Sequence, residues 1–188
     1  PDGYLMEIKQ GASWSPVQQT LFTYNSQGHL LQRLEQRTGL ASSEWANSTS
    51  WNYSYDAQGR IITKHLDEWT DSSEWDTSNL YRYEYKGSQL EPSTTVRLAK
   101  IDGQLTPVDS TIIWYDQNGK ADSSFVCYWV SSQSAWYATD RTTFTNTAQQ
   151  AVLKGKTFVH DENGNWVERS ETTFTEGEGI YTNDPQEE

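Results

Sequence analysis

The stretch Trp51-Asn52-Tyr53-Ser54-Tyr55-Asp56-Ala57-Gln58-Gly59-Arg60-Ile61-Ile62 decides how the rest of the chain is read. Its rings stand at every second position, with Asn52 and Ser54 between them. That is the two-residue period of a strand whose two faces differ, built from residues favoured on pleated surfaces. The run then meets Asp56-Ala57-Gln58-Gly59. An Asp opening a type I turn accepts backbone N–H groups, and a Gly closing it supplies the positive φ of the bulge that follows. A strand, this turn and a second apolar start at Ile61 read together as an antiparallel hairpin.

The hairpin recurs. Tyr24, Tyr55, Tyr85 and Tyr115 follow one another at 31, 30 and 30 residues. Trp14, Trp45, Trp75 and Trp136 keep the same spacing, with Leu105 standing where one more Trp is due. The turn glycines Gly28, Gly59 and Gly119 keep it too, and Lys86-Gly87-Ser88-Gln89 replaces the turn in one unit. Gly164 closes one more such turn, Asp161-Glu162-Asn163-Gly164, after about half a period. Three residue series with one period mark a tandem repeat, and these residues are its structural positions. A period of 30 residues holds two strands of about ten and two turns, the second turn near the Ser43-Glu44-Trp45 and Ser73-Glu74-Trp75 stretches.

The predicted fold is therefore all-β: an antiparallel meander of about six tandem two-stranded hairpin repeats in a long twisted or curled sheet. It is expected to be a single repeat domain over residues 1–175, with units near 1–20, 21–50, 51–80, 81–110, 111–140 and 141–175. Residues 176–188 read as an acidic, flexible tail. One sheet face reads as aromatic and the other as polar. Trp114-Tyr115 and Tyr128-Trp129 break that alternation, so strands near the middle are expected to be buried on both faces.

Composition narrows the function classes. Leu, Ile, Val and Phe number 12, 7, 8 and 5 among 188 residues, a poor aliphatic supply, whereas 9 Trp and 11 Tyr offer large rings to form a core in their place. Twenty-six acids against 14 bases give a net charge of -12, a field that repels phosphate backbones and anionic lipid. Nucleic acid is excluded as a partner on that ground, and the lack of a long apolar run excludes membrane insertion by a helix. Cys127 is the single cysteine, so no internal disulfide forms. A start at Pro1-Asp2 fits a removed signal peptide or a beginning inside a longer protein.

The run from Trp51 to Ile61 resembles the YD repeat of Rhs and teneurin-type proteins, whose core is Tyr-Asp, two free positions, Gly, Arg and an aliphatic. Tyr115-Asp116-Gln117-Asn118-Gly119-Lys120 and Tyr24-Asn25-Ser26-Gln27-Gly28-His29-Leu30 are weaker copies, and Tyr85-Lys86-Gly87-Ser88-Gln89-Leu90 departs at both the acid and the glycine. The spacing here is about ten residues longer, which implies longer strands. The resemblance implies a secreted or cell-surface location of the kind found in Bacteroidetes-type bacteria. It also implies shells, stalks or adhesive surfaces whose repeats carry no catalytic residue.

Candidate sites are few. His29, His65 and His160 are far apart in the sequence, and a zinc or acid–base role would need them to converge with carboxylates. Asp67, Glu68, Asp71, Glu74 and Asp76 form the densest acidic stretch, which a glycosidase pair could use and which edge-strand solubility explains equally. The Asp161–Asn165 loop has a superficial likeness to a calcium loop but lacks the closing Glu. Cys127, in Phe125-Val126-Cys127-Tyr128-Trp129-Val130, reads as a buried structural thiol. The rings set apart from the repeat series, Trp114, Trp129 and Trp166, are the candidates for ligand contact. The function expected is a non-catalytic extracellular platform for protein binding or for structural and adhesive roles, with no cofactor and no metal. The alternative is a carbohydrate-binding module using exposed Trp and Tyr.

Overall fold

The computed structural model describes residues 3–10, 13–38, 44–146 and 152–175; the expected tail at 176–188 lies outside them. Twelve strands follow in chain order: β1 (Gly3–Gln10), β2 (Ser13–Tyr24), β3 (Leu30–Thr38), β4 (Trp45–Tyr55), β5 (Ile61–Trp69) and β6 (Trp75–Glu84), then β7 (Thr94–Ile101), β8 (Gln104–Tyr115), β9 (Ala121–Val130), β10 (Ala135–Asn146), β11 (Val152–His160) and β12 (Trp166–Thr175). They form one antiparallel sheet whose strand order is the sequence order, and among the described residues no pairing closes β12 onto β1. No helix occurs among the described residues. The all-β meander expected from the sequence is the fold observed. The chain packs as two compact units, Pro1–Arg82 with Arg97–Thr106, and Tyr83–Val96 with Pro107–Glu188.

The turns form as their residues dictate. In the Asp56 turn, Gly59 N–H donates to the Asp56 carbonyl and Asp56 N–H to the Arg60 carbonyl, while Asp56 Oδ1 accepts from the N–H groups of Gln58 and Arg60. The Asn25, Asp116 and Asp161 turns repeat these bonds. Gly59 sits at φ +80°, where a side chain is strained, and a Cβ there would lie 2.7 Å from the ring of His29. The Thr70–Glu74 turn has the same backbone bonds with Ser73 at φ +61° in the glycine's place. That turn lies against Trp75, as expected.

Two features depart from the sequence reading. The Asp116 turn follows β8 and the Asp161 turn follows β11, an even and an odd strand, so within the second unit they close opposite ends of their hairpins. The half-period step in the sequence is that change of end. Trp166 also does not stand apart from the tryptophan series. It opens β12 as Trp45 opens β4 and Trp75 opens β6, and it follows Trp136 by 30 residues. It is the next member of the ladder.

In the first unit the polar face is a hydrogen-bonded lattice. Gln19 donates to Gln36, Gln36 to Asn47, Gln32 and Asn52 to Ser50, and Asn52 and Thr77 to the two oxygens of Asp67. Ser50, on that face, and Thr20, on the other, are the most deeply buried side chains of that unit. On the opposite face Lys64, only 7% exposed, sets its ammonium 4.4 Å from the Trp51 ring and 5.8 Å from that of Tyr81, a cation–π arrangement that stabilises a charge held out of water. In the second unit β8 buries Ser110 on one face and Ile113 on the other, which is the two-sided burial expected near the middle. Cys127 lies opposite Ser110 on the first of these faces, and Phe144 is buried as well.

Candidate functional site

The three rings named from the sequence as candidates for ligand contact, Trp114, Trp129 and Trp166, have different surroundings. Trp129, next to last in β9, pairs across the Ser131–Ser134 turn with Trp136, their rings T-shaped at 5.2 Å. Trp69 and Trp75 make the same pair across the Thr70–Glu74 turn, at 4.9 Å and 70°. Trp129 therefore seals a hairpin end. Trp166 faces His160 across the Asp161 turn at 3.9 Å and reaches the edge of Phe125 at 6.4 Å.

Trp114 is different. It lies next to last in β8, leans on Phe125 at 5.6 Å, and still leaves 59% of its surface open. Phe125 thus links two of the three candidates, Trp114 and Trp166. It was not singled out in the sequence, although its alternation with Cys127 and Trp129 marks one strand face. Beside Trp114 runs a groove of about 420 Å³, lined by Lys86, Thr94, Ile112, Trp114, Tyr115 and Asp122 among others. The floor is fixed from below: Ile113 N–H donates to the Ser93 carbonyl at 2.8 Å, and the Tyr115 phenol to the Pro92 carbonyl at 3.1 Å. Burial, with Glu91 nearby, pushes the Tyr115 phenol above its ordinary pKa. The side chains of Lys86 and Asp122 make no hydrogen bond or ion pair among the described residues. The groove offers one open ring, one cation and one anion.

The histidines do not gather. His29 stacks on Tyr55 at 4.8 Å, His65 lies 3.6 Å from Asp67, and His160 Nδ1 meets the Gly164 carbonyl at 2.9 Å. Of the carboxylates, Asp67 is held by Asn52 and Thr77, and Asp76 pairs with Lys100. Asp161 spends Oδ1 on the N–H groups of Asn163 and Asn165, inside its own loop. Among the described residues no group of three or more His, Cys, Asp or Glu is placed to hold a metal ion. Burial raises the Cys127 thiol, which lowers its thiolate fraction and its reactivity.

No family model matches the chain, and no curated protein matches it. Solved structures do resemble it. A protein of unknown function from Bacteroides fragilis superimposes with a TM-score of 0.52 at 16% identity, over 67% of this chain and 91% of that one. A DUF3836 family protein from Parabacteroides distasonis gives 0.45 at 16% identity, over 53% and 91%. A porin-like protein from Bacteroides uniformis gives 0.41 at 13% identity, over 92% and 58%. The first likeness is one of fold.

Proposed function

We propose that this chain is a non-catalytic repeat module, secreted or held at the cell surface, whose sheet is a rigid platform for a protein partner. One observation carries the reading. On β1, Tyr4, Met6 and Ile8 alternate onto one face and are all exposed, and on the other face Leu5 is more than half exposed and Trp14 of β2, opposite Lys9, is 62% open. A cluster of large apolar side chains on one hairpin marks an interaction surface. The outer edge of β1 has no strand beside it among the described residues, and an open edge accepts an extended segment by main-chain hydrogen bonds. The YD-like turn at Tyr55–Arg60 supports the surface location. A photo-crosslinking residue at position 6, in the native host, tests the reading, with protease shaving of intact cells. Cross-links to another polypeptide from position 6 and not from Gln117, on a chain that shaving removes, are expected. A chain protected inside the cell, or equal cross-linking from both positions, contradicts it.

A further inference from the structure

We infer that the groove beside Trp114 is a binding subsite for a neutral sugar ring of an oligosaccharide. This assignment is separate from the β1 surface and stands whether or not that surface docks a protein. Its first support is the indole. A large ring costs free energy when left in water, because apolar surface is favourably buried, and the other strand-end tryptophans of this unit have found partners in Trp136 and His160. Trp114 packs on Phe125 and keeps most of its surface open at the groove.

The second support is the chemistry of the rim. Lys86 supplies three N–H donors and Asp122 two acceptor oxygens, and neither is engaged by another described side chain. Thr94 adds a hydroxyl that can donate or accept. Lys86 and Asp122 balance each other, and Glu91 near Tyr115 leaves no excess of positive charge, so the groove does not suit an anion and matches a ligand that presents donors and acceptors together. A sugar ring has that character: hydroxyls around its rim and a face of C–H groups, weakly positive, that suits the negative face of an indole. A net charge of -12 on the protein disfavours an anionic ligand in the same place. The dimensions agree, since ligand sites commonly run from about 300 to about 1,000 Å³.

The test is a screen of the purified chain against immobilised neutral oligosaccharides (glucans, mannans, xylans and galactans), followed by titration calorimetry with the best soluble fragment. Binding is expected to weaken at least about tenfold in W114A, the loss typical of a central aromatic, and about threefold in D122N, which removes one charged acceptor at an exposed rim. Y137A, which removes an exposed ring on β10 away from the groove, is expected to bind as the parent chain does, and circular dichroism checks that each variant is folded. Saturable binding that W114A leaves intact, binding lost only in Y137A, or no binding of any neutral oligosaccharide at millimolar concentration overturns the assignment. In that last case cross-links from position 6 still report on the protein-binding reading, so the two fail separately.

Discussion

The phenol of Tyr55 donates a 2.7 Å hydrogen bond to the carbonyl of Leu30, the first residue after the preceding Asn25 turn. Tyr115 makes the corresponding bond to Pro92, just past the Lys86 turn. Two of the four periodic tyrosines thus tie one hairpin to the backbone just past the turn of the hairpin before it. This gives a reason, beyond burial, for a Tyr at that position in those units. Y55F and Y115F are each expected to cost about 1 kcal/mol in urea unfolding, the usual net worth of one intramolecular hydrogen bond.

Burial raises both phenols above their ordinary value, with Glu91 adding to the effect at Tyr115. A proton held more tightly in the folded state stabilises folding fully below the unfolded value, about pH 10. That contribution is lost as pH climbs through the raised folded values. Urea midpoints of the parent chain should therefore fall above about pH 10, and the Y55F/Y115F double variant should show a shallower fall.

The turn acids set the opposite limb. Burial works against the charge of Asp56, but the Arg60 N–H, the Arg60 guanidinium and the Gln58 N–H outweigh it and hold the carboxyl below its ordinary value. The Lys120 N–H leads in doing the same for Asp116, and the Asn165 N–H for Asp161. Depressed carboxyls add stability that is complete above the unfolded value, about pH 4, and vanishes as pH falls through the folded ones. Asn25 shows that a neutral amide keeps the turn bonds. The triple variant D56N/D116N/D161N should unfold earlier than the parent near pH 7 and merge with it near pH 2, as followed by urea midpoints at each pH.

Gly59 carries two constraints, a positive φ and the His29 ring within 2.7 Å of any Cβ. G59A should cost about 1–2 kcal/mol. G87A, also at positive φ but with open space around it, should cost less. Equal losses would show that the turn-to-turn contact with His29 carries no weight.

The tryptophan pairs at hairpin ends predict measurable coupling. A double-mutant cycle on Trp69 and Trp75, paired across their turn at 4.9 Å, should return about 0.5–1.5 kcal/mol. The same cycle on Trp69 and Trp45, rings on non-adjacent positions, should return a value close to zero.

Much of this fold was legible because one hairpin was copied with its rings in register. Tyr55-Asp56 and Gly59 announced the turn, and Ser73-Glu74-Trp75 its counterpart at the other end. Other elements were hidden by substitutions that keep the geometry. Ser73 takes a left-handed conformation usually given to glycine, so the Thr70–Glu74 turn has no Asp–Gly signature. Asp102 and Gly103, at φ +50° and +80°, make a two-residue turn between β7 and β8. That Asp-Gly pair is a strong hairpin signal in its own right, but it stands in the unit where Leu105 replaces the periodic Trp. Trp166 looked irregular because its turn had changed ends, although its 30-residue step from Trp136 was present. The site was less legible. Alternation cannot say which ring lacks a cover: Trp114, opposite the small Ser123 and leaning on Phe125, keeps 59% of its surface open.

Cross-strand backbone NOEs in the isotope-labelled chain test the repeat architecture most directly. Contacts that link each strand only with the strands before and after it are expected, including Gln32 with Asn52, Thr142 with Thr157, and His160 with Trp166. A network that joins sequence-distant strands as hydrogen-bonded neighbours, or that leaves Trp166 unpaired with His160, would end the case for an in-register hairpin array.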